Sequence, residues 1–182
     1  MSTYSPSLVL PVGGRDHTLG PATAPVTLLE YGDYECPHCR ATHAVVADVR
    51  LRMGTLLRFA YRHFPLTNVH PHAQRAAEAA EAAGAQGRFW PMHARLFEYQ
   101  EALEDGHLLV HAETVGLDVS RFARELAAGI HTRRVREDFM SGVRSGVNGT
   151  PTFYINNIRY DGGHDAASLI EGIELALEGS PG

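Results

Sequence analysis

The sequence predicts an α/β fold in which a strand–helix–strand unit and a strand–strand–helix unit are separated by an all-helical stretch. Three observations predict it. Runs rich in apolar and β-branched residues, at 24–33 and 55–65, bracket a segment with helical spacing. From Pro71 to about Gly146 there are several helical patterns and no convincing strand. After residue 149 a strand pattern returns, and a last helix closes the chain. With 182 residues, 44% of them apolar and 20% charged, the chain suits one domain carrying a sizeable insertion.

In order along the chain, residues 1 to about 24 mix Pro, Gly and Thr and form a lead-in, with one short edge strand expected near Leu8–Leu10. "APVTLLEYGD" (24–33) reads as a strand. "CPHCRATHAVVADVRLRMG" (36–54) sets positions 41, 44, 45, 48 and 51 at helical spacing, all but Asp48 apolar, and ends on Gly54, a helix with a C-terminal stop. "TLLRFAYRHFP" (55–65) alternates and ends at Pro65, a second strand joined to the first by a right-handed crossover and hence parallel to it.

"HAQRAAEAAEAAGAQG" is strongly helix-forming through its alanines, with Gly84 and Gly87 at its end. "RFWPMHARLFEYQEAL" carries a stripe of Phe89, Trp90, Met92, Leu96 and Phe97, read as core of the helical block. "DGHLLVHAETVG", "DVSRFARELAAGI" (opened by Asp118) and "HTRRVREDFMSGVRSG" complete that block. "GTPTFYINN" (149–157) and "IRYDG" (158–162) form a hairpin around Asn156-Asn157. "GGH" at 162–164 is a turn, and "DAASLIEGIELAL" (165–177) is a helix with Ala167, Leu169, Ile170, Ile173 and Leu177 facing inward.

Composition excludes several function classes. A net charge of −5 offers no footprint for nucleic acid or an anionic membrane surface. All 16 basic residues are arginine, so Schiff-base and P-loop lysine chemistry are closed. No window approaches 18 apolar residues, so no membrane insertion is expected. The N-terminus has no basic region and only a short apolar run. A cytoplasmic protein is expected from the chain as written, and a periplasmic one if a leader has been removed.

Both cysteines of the chain, Cys36 and Cys39, lie in "YECPHCR" at the first strand-to-helix junction. With Pro37 at the first helical position, Cys36 sits at the helix N-terminus, where unpaired N–H groups and the helix dipole favour a thiolate. The thiolate is the attacking species in disulfide exchange. Cys39 lies one turn in, close enough to close the ring and more shielded. His38 adds a donor near the sulfur. A more stable thiolate makes a more oxidising disulfide. A structural zinc site would want two more ligands; His70 and His72 can be nominated, but alternate residues at a helix start do not converge easily. A buried inert pair is disfavoured by the helix N-terminus.

These residues resemble the DsbA-type thiol-disulfide oxidoreductases. The resemblance rests on "ECPHC", on "YRHFPL" after the second strand, on the helical block between the two halves, and on "VNGTPTFYIN", and it covers about residues 18–178. It implies a thioredoxin-like fold interrupted by an all-helical insertion: a lead-in at 1–20, the fold's first part at 21–66, the insertion at 67–146 and the second part at 147–182.

By the same resemblance Cys36 is the nucleophile, Cys39 the resolving thiol, and Pro37 and His38 the tuning dipeptide. Pro151 is the cis-proline beside the sulfurs, and Thr150 offers backbone groups to a bound substrate strand. Glu30 falls where such folds keep a buried acid beneath the disulfide, to move protons to and from Cys39; otherwise it is an exposed strand carboxylate. Leaderless members of the family, some fused to sodium/proton antiporters, fit the absence of an export signal.

The implied activity is dithiol–disulfide exchange with protein thiols and disulfides, by a monomer that needs no metal or organic cofactor and is turned over by an unidentified redox partner. Three alternatives remain at this level: a cytosolic reductase or isomerase using the same site, a chaperone-like binding module, and a glutathione-dependent transferase. His63, His70 and His72 are read as polar residues of loops and helix starts, with lining of a substrate groove as their functional alternative. Asp33 and Glu35 flank the motif and would oppose a thiolate if close to it.

Overall fold

The computed structural model describes residues 6–179. Its framework is a five-stranded sheet of order β1–β3–β2–β4–β5. At the centre, β2 (Val26–Gly32) and β3 (Leu57–His63) are parallel, in register from Val26–Leu57 to Gly32–His63. Antiparallel neighbours flank them: β1 (His17–Leu19) on β3, β4 (Thr152–Ile155) on β2, and β5 (Ile158–Tyr160) on β4. The β2–β3 crossover is α1 (Pro37–Met53), followed by a 3-10 turn at Gly54–Leu56. Five helices lie between β3 and β4: α2 (Ala73–Gly84), α3 (Phe89–Glu98), α4 (Asp105–Thr114), α5 (Val119–Ala127) and α6 (Thr132–Ser145). The last helix is α7 (Ala166–Glu178).

The expected element order is therefore found, with three corrections. The edge strand lies at His17–Leu19 and not near Leu8–Leu10. In that earlier stretch Ser7 makes only an isolated bridge to Ile158, and Leu8 N–H donates to the Asn157 carbonyl at 2.9 Å. What holds the lead-in is Arg62 on β3, fully buried, which forks onto Asp16 at 2.7 and 3.0 Å and donates to the Leu10 carbonyl at 2.8 Å.

The other two corrections are of helical phase. The buried stripe of α1 is Cys39, Thr42, Val46, Val49 and Met53, while Leu51 is 83% exposed. On α7, Ala166 packs inward beside Leu169, Ile170, Ile173 and Leu177, and Ala167 is exposed.

Both central strands are buried along almost their whole length, as expected when both faces of a sheet are covered. Alternation assigns the faces. Val26, Leu28, Phe59, Tyr61, Phe153 and Ile155 pack into one core with α1, α3 and α7. Leu29, Tyr31, Ala60 and Tyr154 pack into a second, smaller core with Leu8, Phe64, Val147 and Phe139 of α6. Glu30, two residues beyond Leu28, thus points to the α1 side.

The β4–β5 turn has Asn156 and Asn157 at φ 45° and 70°, the left-handed pair that a two-residue hairpin of matching twist requires. Among the helices between β3 and β4, α2 is central and packs on α3, α4, α5 and α6. Its alanines 76, 77, 79, 80, 82 and 83 are all buried, and small side chains let four neighbours approach one helix. Asp118 caps α5 by accepting from Arg121 N–H at 2.9 Å. Phe89, Met92, Leu96 and Phe97 are buried as expected, with Trp90 partly so. Among the described residues no helix is long and apolar enough to cross a membrane.

Candidate active site

The C-terminal end of β2 runs into a short loop, 33–36, that delivers Cys36 to the start of α1. Cys36 is the N-cap residue (φ −76°, ψ 121°) and Pro37 follows in the first turn, where a missing N–H leaves no bond unmade. Both cysteines are free thiols. Cys36 is 4% exposed and Cys39 not at all. The Cys36 sulfur lies 3.5 Å from the Thr150 carbonyl oxygen, and the Thr150–Pro151 peptide is cis. The two halves of the fold meet at this sulfur.

The two thiols are displaced in opposite directions. Cys36 is brought down to about 5: the Cys39 thiol donates to it, Thr150 helps, and the main-chain N–H groups of Cys39 and His38 add to this against the cost of burial. At pH 7 a group with that acidity is ionised by ~100:1. Cys39 is pushed far above the ordinary thiol range by burial first, and then by its bond to Cys36 and the nearby charge of Glu30. Glu30 is fully buried and raised to about 8, chiefly by desolvation and then by the Cys36 charge, with Thr42 opposing. Among the described residues, Glu30 Oε1 and the Tyr61 hydroxyl are buried without hydrogen-bond partners. Both lie within electrostatic reach of Cys39.

His38 requires a correction. Its side chain is exposed, and the group that stabilises the Cys36 sulfur is its main-chain N–H. Asp33 and Glu35 are occupied by hydrogen bonds. Asp33 accepts from Glu35 N–H and Leu66 N–H at 2.8 and 2.9 Å and pairs with His70 Nδ1 at 2.8 Å. Glu35 accepts from His72 N–H at 2.6 Å and pairs with His72 Nδ1 at 2.9 Å. His70 and His72 therefore anchor the loop that carries Cys36.

His63 belongs to a separate buried cluster with Glu81 and Asp138, whose candidate ligand atoms lie within 4.8 Å of one another. His63 and His17 both bond Glu81 Oε1, at 2.8 and 2.9 Å, and Arg134 and Arg15 reach Asp138 at 3.5 and 3.4 Å. Two guanidinium groups already neutralise this cluster, which makes it a charge network joining β1, β3, α2 and α6.

The sequence model of the thioredoxin family matches residues 13–174. The chain belongs to the thioredoxin family. Solved structures share this fold, the helices between β3 and β4 included. BdbD from Bacillus subtilis superposes with a TM-score of 0.83 at 24% identity, covering 96% of this chain and 97% of that one. A thioredoxin-like oxidoreductase from Silicibacter pomeroyi DSS-3 gives 0.81 at 27% identity, covering 92% and 95%. α-DsbA1 from Wolbachia pipientis gives 0.79 at 21%, covering 94% of each.

Among curated proteins, Na(+)/H(+) antiporter NhaA 1 of Salinispora arenicola is 45% identical over 174 residues, covering 95% of this chain and 26% of the antiporter. The NhaA antiporter of Herminiimonas arsenicoxydans is 41% identical over 165 residues, covering 91% and 26%. This thioredoxin-family chain spans about a quarter of the length of the curated relatives it matches.

Sequence reasoning missed several residues that build the site. Gln100, in the turn after α3, donates to the carbonyls of Tyr34 and Cys36 at 2.8 and 2.9 Å. The Tyr34 hydroxyl is bonded to His93 Nδ1 of α3 at 2.9 Å. His164, read as part of a turn, lies edge-on to Phe153 at 5.2 Å, and desolvation holds its imidazole below the usual range. One signal was available for the loop's anchors: Asp33-x-Glu35 and His70-x-His72 share a spacing of two, as two hydrogen-bonded pairs side by side would.

Proposed function

We propose that the chain is a thiol–disulfide oxidoreductase acting on protein thiols and disulfides, with Cys36 as nucleophile, Cys39 as resolving thiol and disulfide donation as its favoured direction. The observation that carries this reading is the placement of two thiols three residues apart, Cys36 at the α1 N-terminus with its sulfur 3.5 Å from the Thr150 carbonyl of the cis-proline loop and Cys39 fully buried behind it, an arrangement that brings Cys36 down to about 5 and pushes Cys39 up. A couple whose reduced form holds a stabilised thiolate is an oxidising couple.

The donating half-reaction starts from the Cys36–Cys39 disulfide. A substrate thiolate attacks the Cys36 sulfur, a mixed disulfide forms, and the Cys36–Cys39 bond breaks with its electron pair leaving on Cys39. Cys39 is the poorer thiolate, so it needs a proton, and the buried carboxyl of Glu30 is placed to supply it. A second substrate thiolate attacks the substrate sulfur of the mixed disulfide, releasing oxidised substrate and the Cys36 thiolate. Each cycle moves two electrons from substrate to enzyme.

Thr150–Pro151 is the edge on which an extended substrate strand docks, since its carbonyl already meets the Cys36 sulfur. In a glutathione-poised cytosol such a couple stands reduced, so donation requires an oxidising compartment or a dedicated oxidant as partner.

The test is oxidation of a reduced two-cysteine peptide by the oxidised protein. Wild type converts it stoichiometrically and Cys36→Ser is inactive, while Cys39→Ser, offered the disulfide form of the peptide instead, is trapped as a mixed disulfide on Cys36 with one peptide thiol released. Full activity in Cys36→Ser would overturn the reading and favour a binding role.

A further inference from the structure

We propose that Gln100, which belongs to the helical segment between β3 and β4, is a positioning residue for the nucleophile: its side-chain amide clamps the main chain on both sides of Glu35 and holds Cys36 at the N-terminus of α1. The inference rests on Cys36 being the nucleophile.

The N-terminus of α1 is capped by a residue whose side chain makes no capping bond, and the residue after it is a proline. The Cys36–Pro37 peptide therefore has no N–H, and its carbonyl is the one group by which it can be held. That carbonyl accepts two hydrogen bonds, from Arg40 N–H within α1 at 3.1 Å and from Gln100 Nε2 at 2.9 Å. The second hydrogen of the same amide goes to the Tyr34 carbonyl at 2.8 Å. A primary amide nitrogen has two hydrogens, and both are used here. Because both partners are carbonyls, the amide must present its nitrogen to them.

The clamp spans 64 and 66 residues of sequence. Nearby, the Arg40 guanidinium bonds the Glu98 carbonyl and the Glu101 carboxylate, so the turn after α3 is itself fastened to α1. On the other side the 66–72 segment holds Asp33 and Glu35. Between these two grips, Cys36 has little freedom to leave the N-terminus of α1 and the Thr150 carbonyl. Release of the Gln100 side lets the Cys36 carbonyl tilt toward water and takes the sulfur with it.

The experiment is the pH dependence of Cys36 alkylation by iodoacetamide in the reduced full chain, between pH 3 and 9, in wild type, Gln100→Met and Gln100→Glu. Met keeps the length and removes both donors; Glu keeps the shape and sets a carboxylate against two carbonyls. Other groups that titrate around Cys36 are Cys39 and His38 on α1, Glu30 on β2, and the Arg40–Glu101 pair, all unchanged in both variants.

The expected result is a wild-type midpoint near 5. In Gln100→Met it should rise by about one pH unit, so that the alkylation rate at pH 4 falls about tenfold, and in Gln100→Glu it should rise further. Circular dichroism checks folding, and if one variant fails to fold the other carries the comparison. Wild-type midpoints in the folded variants would overturn the inference alone. A wild-type midpoint near the ordinary cysteine value of about 8.5 would overturn the nucleophile reading on which it rests.

Discussion

Glu30 and Cys36 repel each other's charge, and their linkage to folding has opposite signs. Cys36 is lowered from 9.0 to about 5, so between those values the unfolded chain binds the extra proton and stability rises with pH. Glu30 is raised from 4.5 to about 8, so between those values the folded chain binds the extra proton and stability falls with pH. From about pH 5 to 8 the two slopes offset one another in the reduced protein. Glu30→Gln removes the falling contribution and leaves the rising one. Urea unfolding of reduced Glu30→Gln should therefore give stability that increases from pH 5 to 8 more steeply than wild type. Parallel slopes for the two proteins would contradict a buried, protonated Glu30.

At the scale of elements, closeness of approach decides whether small residues can be replaced. A Cβ on Gly142 would lie 2.7 Å from the Phe64 ring and 3.0 Å from Tyr31, so glycine is what lets α6 lie on the sheet. An alanine gains about 1 kcal/mol of helix propensity. It also overpacks the contact, typically by about 1–3 kcal/mol. Gly142→Ala should lose about 1 kcal/mol net in urea unfolding; a gain would mean that α6 can shift outward without loss.

The same scale separates what the sequence made legible from what it did not. Cys36, Cys39, Pro37 and the Asn156-Asn157 turn announce themselves locally, because their chemistry depends on neighbours one to three residues away. Glu30 and Pro151 were reachable through the family pattern. The stripe of α1 was mis-phased because its buried face includes a cysteine and a threonine, while Leu51 is a large apolar residue left in solvent. Gln100 carries no mark at all: a half-buried glutamine in a turn becomes informative only when a contact across 64 residues is seen.

At the scale of the molecule, the sheet sets Glu30, Cys36 and Thr150–Pro151 around one point, and the helices between β3 and β4 reach back to that point through His93 and Gln100. A fold that stabilises the thiolate must stabilise the reduced state over the oxidised one, by the thermodynamic cycle linking folding to disulfide formation. The reduced protein is accordingly expected to unfold at a higher urea concentration than the oxidised protein, the reverse of an ordinary structural disulfide.

The equilibrium constant of the Cys36–Cys39 couple against glutathione, titrated at pH 7, is the most direct measurement of the same quantity. The thiolate at Cys36 predicts an oxidising potential, nearer about −120 mV than about −270 mV. A value at or below about −270 mV would contradict disulfide donation and make the chain a reductase.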